Sequence, residues 1–130
     1  MPLTRRTMST FTESLRRSVA KTFTFQGRDS RADYRRLFLT WYAGFYAWIG
    51  LGLLATHASG PFLWLALGVF LLGLVLLLPA CLTLWTAQVR RLHDLDSSGW
   101  WLLLPVVPLI LLFPKGEAQD NSYGPPPAEG

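Results

Sequence analysis

The sequence predicts an all-α membrane protein: a small helical bundle with two full transmembrane helices and a short third element, a proline-containing apolar helix or re-entrant segment, all preceded by an amphipathic interfacial helix. Three observations predict it. Between Leu37 and Val89 there is no Asp, Glu, Lys or Arg, a charge-free window of 53 residues. The outer face of a water-soluble helix carries polar groups, so such a window belongs in lipid. It holds two apolar runs, each long enough for the roughly 30 Å of a hydrocarbon core. A third run, Trp100–Phe113, has only 14 residues and contains Pro105 and Pro108.

At 130 residues the chain is one domain with tails. Residues 1–24 are a basic segment, 25–114 the membrane domain and 115–130 a polar, proline-rich tail expected to be largely disordered, with its NSYG able to dock. The basic segment has no apolar run long enough for a signal-peptide core, so nothing in it looks cleaved. Within it, Thr10–Phe23 reads as a short helix. Thr10 and Glu13 form a capping box, Glu13 precedes Arg17 by four residues, and Phe11, Leu15 and Val19 share one face. The pattern fits a helix lying on a membrane surface, with a mitochondrial presequence as the lesser alternative.

The first span is 37–56. Ala43, Ala47 and Gly50 fall on one side of it, a flat strip for close helix packing. The uncharged turn HASGP, 57–61, makes the next helix an antiparallel neighbour. That second span runs over 62–89, where Ala66, Gly73, Ala80 and Ala87 recur every seventh residue, the spacing of a left-handed packed seam. Pro79 is expected to kink it. Beyond the proline, Thr83, Thr86, Arg90 and Asp94 form a polar stripe, as if the last turns enter the headgroup region. The third run, 100–113, reaches about 21 Å as a straight helix, less than a full crossing.

Charge sets the expected orientation. Nine of the twelve basic residues lie in the first 36 positions beside three acids. Basic residues massed against an apolar span orient it and meet anionic lipid, which excludes nucleic acid as the expected partner. The positive-inside rule places the N-terminus in the cytoplasm. The tail is outside if 100–113 crosses, and cytoplasmic if it is re-entrant. The single cysteine, Cys81, is read as a small buried hydrophobe.

The charged residues gather in two stretches, GRDSRADY at 27–34 and RRLHDLDSSGWW at 90–101. Arg90 and Arg91 sit where a helix leaves the bilayer and can reach lipid phosphates. Asp96 and Ser97 are candidate caps for the next element. Trp100 and Trp101 have the amphipathic rings of interfacial anchors. Two readings follow. Arg28, Arg31, Asp33, Arg90, Arg91, His93 and Asp94 meet as a site for an anionic headgroup or another phosphate, since guanidinium forks match phosphate oxygens. Alternatively, Arg28 and Arg31 pair with Asp94 or Asp96, and Asp29 or Asp33 with Arg90 or Arg91, and these pairs merely lock the helix ends.

The same stretches carry a family resemblance. GRDSRADY before the first span, Pro79 followed by RRLHD and SGWWLLLPVVP, and the trailing NSYGPPP together resemble the bacterial integral membrane family catalogued as domain of unknown function 805, over about Phe25 to Pro126. The resemblance implies a small multi-pass protein of the bacterial inner membrane and brings no activity, substrate or cofactor. The stretch after Pro108 is several residues shorter than is usual there.

The remaining function classes are weighed on the residues. Adjacent His93 and Asp94 diverge on a helix and make no catalytic dyad. His93, Asp94 and Asp96 supply at most three ligands on one loop and His57 lies at the far end of the span, so no metal or cofactor site is expected. The spans hold no ionisable group of the kind coupled transporters use, which leaves only an oligomeric pore in that class. The expected role is therefore contact: self-association or binding of another membrane protein, with the bilayer and its anionic headgroups as the surrounding partner.

Overall fold

The computed structural model describes residues 11–127, which form helices and turns with one isolated antiparallel bridge between Asn121 and Gly124. Four helices follow in order: α1, Phe11–Ala20; α2, Arg31–Ala55; α3, Pro61–Asp94; and α4, Val107–Ile110. A 3₁₀ turn over Gly99–Leu103 lies between the last two.

The core of the fold is the α2–α3 hairpin. Both helices are long and apolar enough to cross a membrane, with mean hydropathy 1.5 and 2.7. At 1.5 Å per residue they measure about 37 and about 51 Å, so both outrun a hydrocarbon core of roughly 30 Å. They are joined by a tight turn in which Gly60 takes φ 59°, open to a residue without Cβ, and Pro61 starts α3 at the position where its missing N–H costs nothing. Each helix exceeds the apolar span read from the sequence at the end away from this turn. α2 begins six residues early, at Arg31, and α3 continues to Asp94. The charged ends therefore stand side by side.

Along the hairpin, bulky rings of α2 meet small residues of α3. Trp48 stacks on Phe70 with ring centres 4.8 Å apart, and its indole N–H donates to the Phe70 carbonyl at 3.2 Å. A Cβ on Gly73 would collide with the Trp48 indole, and one on Gly52 would come within 2.8 Å of the Phe70 ring. Ala66, Gly73 and Ala80 are half-covered and Ala87 is fully buried. The α2 strip of Ala43, Ala47 and Gly50 points elsewhere: all three are exposed, because Trp41, Tyr42, Phe45 and Trp48 take the covered side. α3 continues as a helix through Pro79, and the Thr83 hydroxyl donates to the Pro79 carbonyl at 2.9 Å. Cys81 is exposed rather than buried, on the outer flank of α3.

One expectation changes at the other end, that of the polar stripe. Thr10, the expected capping residue, lies outside the described residues. α1 is amphipathic: Ser14 and Ser18 are buried, Leu15 packs partly against the core, and Phe11 and Val19 are exposed. The reason is polar docking, since Asp33 takes hydrogen bonds from Ser14 and from Arg17, the latter at 3.2 Å. The polar stripe Thr83, Thr86, Arg90 and Asp94 is buried along its whole length rather than facing headgroups.

Residues 100–113 contain no helix longer than five residues, and Val107 and Leu111 pack into the core. Both ends of this segment are fixed at the charged end of the hairpin. The Leu92 carbonyl receives the Ser97 N–H at 2.9 Å, and the Asp94 carbonyl receives the Glu117 N–H at 3.0 Å. The segment leaves and returns at one end of the helix pair. The tail is described as far as Pro127 and is hydrogen-bonded to the rest of the chain at Glu117, Gln119, Asn121, Ser122 and Gly124.

Candidate functional site

The charged end is built from three pieces that converge: residues 21–36, the last turns of α3 and the chain from 96 to 127. Ser30 starts the arrangement by capping α2, accepting from the Asp33 N–H at 3.1 Å, while Asp33 supplies the acidic first turn that a helix N-terminus favours. Arg91 and His93 occupy the last turn of α3, where the helix carbonyls favour positive charge.

Arg28, Arg90, Arg91, Asp29 and Asp94 are all buried. Asp94 sits between two guanidiniums: Arg28 approaches at 2.9 Å and Arg91, one turn back, lies closer still. Asp29 receives Arg90 at 3.0 Å and, at 3.7 Å, the amine of Lys21. Three buried cations thus face two carboxylates, and buried ions are tolerated only when the rest of their hydrogen-bonding capacity is met.

Backbone carbonyls meet most of it; among the described residues the Nη2 of Arg90 has no hydrogen-bond acceptor, and its Nε meets Asp29 only as an ion pair. Arg90 donates to the carbonyls of Lys21, at 2.8 Å, and Thr24, at 2.6 Å. Arg28 reaches the carbonyls of Gln119, at 2.8 Å, Gly124, at 3.2 Å, and Glu117. Arg91 takes those of Leu111, at 3.3 Å, and Pro114. Tyr34, fully buried, donates to Pro108 at 2.8 Å; Arg35 donates to Leu112 at 2.6 Å and Arg31 to Phe113 at 3.2 Å. A segment with prolines at 105, 108 and 114 cannot close a helical ladder, and its unpaired carbonyls need donors. The guanidiniums supply them. Gly116 completes the fit, since a Cβ there would run into the Asp94 carboxylate.

Arg90 and Arg91, read from the sequence as facing the headgroups, point inward: their side chains are 1% and 0% exposed. Of the pairings the sequence allowed, Arg28 with Asp94 and Asp29 with Arg90 form, whereas Arg31 goes to Phe113 and Asp33 to α1. His93 joins the same end but pairs with no carboxylate. Its Nδ1 lies 3.2 Å from the Gly27 carbonyl and its ring stacks on Tyr123 at 3.9 Å, while Asn121 donates to its backbone carbonyl at 2.9 Å. Asp96 does not cap: it adopts φ 51° at the turn and accepts from the Ser122 N–H at 3.1 Å. Ser98 caps the 3₁₀ turn instead of Ser97. Trp100 and Trp101 are exposed on that turn. Among the described residues no three His, Cys, Asp or Glu side chains gather as a metal would require.

Sequence reasoning missed Tyr34, Gly116 and Asn121. Tyr34 had a signal, a lone ring among charges at the start of a span. Asn121 had one in the trailing NSYG motif, though not its partner; Gly116 had none, because its role depends on a tail folding back onto Asp94.

Two membrane-length apolar helices with a folded polar end define an integral membrane protein. The chain belongs to the family described as protein of unknown function DUF805, whose model matches residues 22–125. Among curated proteins it is 42% identical over 50 residues to the inner membrane protein YhaH of Escherichia coli, covering 33% of this chain and 41% of that one. It is 36% identical over 66 residues to the inner membrane protein YhaI of the same organism, covering 45% of this chain and 56% of that one. The matched stretches span about half the length of these relatives. No solved structure matches.

Proposed function

We propose that this protein is a two-span protein of the bacterial inner membrane, with both termini in the cytoplasm, that acts by contact with a second copy or another membrane protein. The single observation that carries the reading is the exposed strip Ala43, Ala47 and Gly50 on α2, left uncovered by the hairpin's own seam. Small residues let helix backbones approach closely in lipid, where dispersion and interhelical hydrogen bonds drive association. The polar end is a folded base for this hairpin, with α1 and the 100–113 segment lying at the headgroup level and Trp100 and Trp101 as anchors. The basic excess of the N-terminal segment supports the cytoplasmic assignment. Binding of phosphate headgroups by Arg28, Arg90 and Arg91 is not favoured, because all three side chains are buried inside the protein.

Two measurements test this. With Cys81→Ser as background, Ala47→Cys should give a disulfide-linked dimer on mild oxidation in native membranes, while Leu72→Cys on α3 should not. If Ala47→Cys yields only monomer and no co-purifying membrane protein, the contact reading fails. Paired reporters fused after Gly130 should be active for the cytoplasmic one and silent for the external one; the reverse pattern overturns the two-span topology.

A further inference from the structure

A cavity of about 520 Å³ opens between α3, the 3₁₀ turn and Phe25. Its volume is within the range of small-ligand sites. Trp85, Val89, Leu102 and Leu103 line one part, and His93, Ser98 and Tyr123 the other. Gly99 lets the 3₁₀ turn sit against α3, since a Cβ there would already press on Val89 at 3.2 Å. No Lys, Arg, Asp or Glu is among the lining residues.

We infer that this groove holds one hydrocarbon chain of a bilayer phospholipid, with the ester and headgroup end of that lipid at His93, Ser98 and Tyr123. Three observations choose this occupant. The groove continues the membrane-facing flank of α3: Leu78, Cys81, Trp85, Val89 and His93 follow one another at helical spacing, and Leu78, Cys81 and Trp85 are exposed. The surface grades along that line from hydrocarbon to hydroxyl, imidazole and phenol, matching a lipid from chain to glycerol. The walls carry no charge, so nothing in the groove attracts a free phosphate or an acidic peptide. Large rings also stay uncovered at its rim, with Trp85 59% and Trp100 78% exposed. From Pro61 to Trp85 is already about 36 Å of helix, more than a hydrocarbon core, so bulk acyl chains do not reach the whole rim. A single chain drawn up from the bilayer covers it. This site is separate from the arginines and independent of the contact reading above.

The test uses the full chain in phosphatidylcholine vesicles containing increasing fractions of phosphatidylcholine with a photoactivatable group at the chain end, and adducts mapped by mass spectrometry. Adducts between Trp85 and Leu103 should saturate at about one lipid per chain, whereas adducts on 71–78 rise in proportion to the labelled fraction. Leu103→Glu and Val89→Trp should each lower the saturable adduct about tenfold and leave 71–78 unchanged. Replacing the labelled lipid by phosphatidylglycerol should give equal labelling. Adducts in the groove that rise linearly in the unaltered chain would overturn the site. So would a cross-link there to a second copy of the chain, and so would strong selectivity for the anionic lipid.

Discussion

The apolar span and the charged end of the hairpin are built inside out from one another. In the middle of α3, Val75 is 69% and Leu78 79% exposed, and the aliphatic side chains point outward. About four turns further along the same helix, Arg91 is 0% and Asp94 2% exposed, and the charges point inward. The difference follows from what surrounds each end. In lipid an α-helix satisfies its own backbone and apolar groups are the natural exterior. Beyond the lipid, a proline-broken segment leaves carbonyls unpaired, and the cheapest nearby donors are the guanidiniums that flank the spans. The arginines are thus structural reagents for an irregular backbone.

This comparison can be broken from either side. The largest effect is expected from Asp94→Ala, which strips the shared carboxylate from buried Arg28 and Arg91. Breaking such a cluster should cost about 3–5 kcal/mol, read as a lower unfolding temperature in detergent together with rapid proteolysis of 115–127. Adding charge within the span comes next: Val75→Asp should cost about 2.5–3.5 kcal/mol in insertion, measured as the fraction of chain integrated into membranes. The same aspartate at an exposed position of the tail, such as Ala118→Asp, should leave both readouts unchanged.

Within the span, one helix offers its own control. Gly73→Leu drives a side chain into the Trp48 indole and should destabilise the hairpin by about 1–3 kcal/mol. Gly68→Leu meets open space, with nothing within 4 Å of its Cβ, and should change stability by less than about 0.5 kcal/mol. Equal effects from the two would mean that the seam is not where the Trp48–Phe70 stack places it. The smallest effect belongs to Ser98→Ala. Its hydroxyl accepts from the Trp100 N–H at a long 3.4 Å, so removal should cost only about 0.5 kcal/mol, detectable as faster amide exchange confined to 99–103.

Much of this was legible in the chain. The absence of charge from 37 to 89 dictates two spans, since no other arrangement hides that much hydrocarbon from water in 130 residues. HASGP dictates a hairpin, and the shortness of 100–113 argues against a plain third crossing. The pairing of Arg28 with Asp94 and of Asp29 with Arg90 was among the options, because equal numbers of partners sit at the two helix ends. The docking of α1 was not legible. A period of 3.6 residues marks Phe11, Leu15 and Val19 as one stripe but does not say what the opposite face meets, and Ser14 facing Asp33 decided it.

Where the chain leaves water, how many helices are long enough to span and at which end positive charge gathers all follow from the order of the residues. Those features are additive along the chain: each apolar residue contributes its own transfer free energy wherever its neighbours lie. That the arginines turn inward, that the tail returns to lie on Asp94 and His93, and that a groove opens beside Trp85 are consequences of folding. Those depend on which unpaired carbonyls come within about 3 Å of which donors, and that distance is set by the folding of segments far apart in sequence.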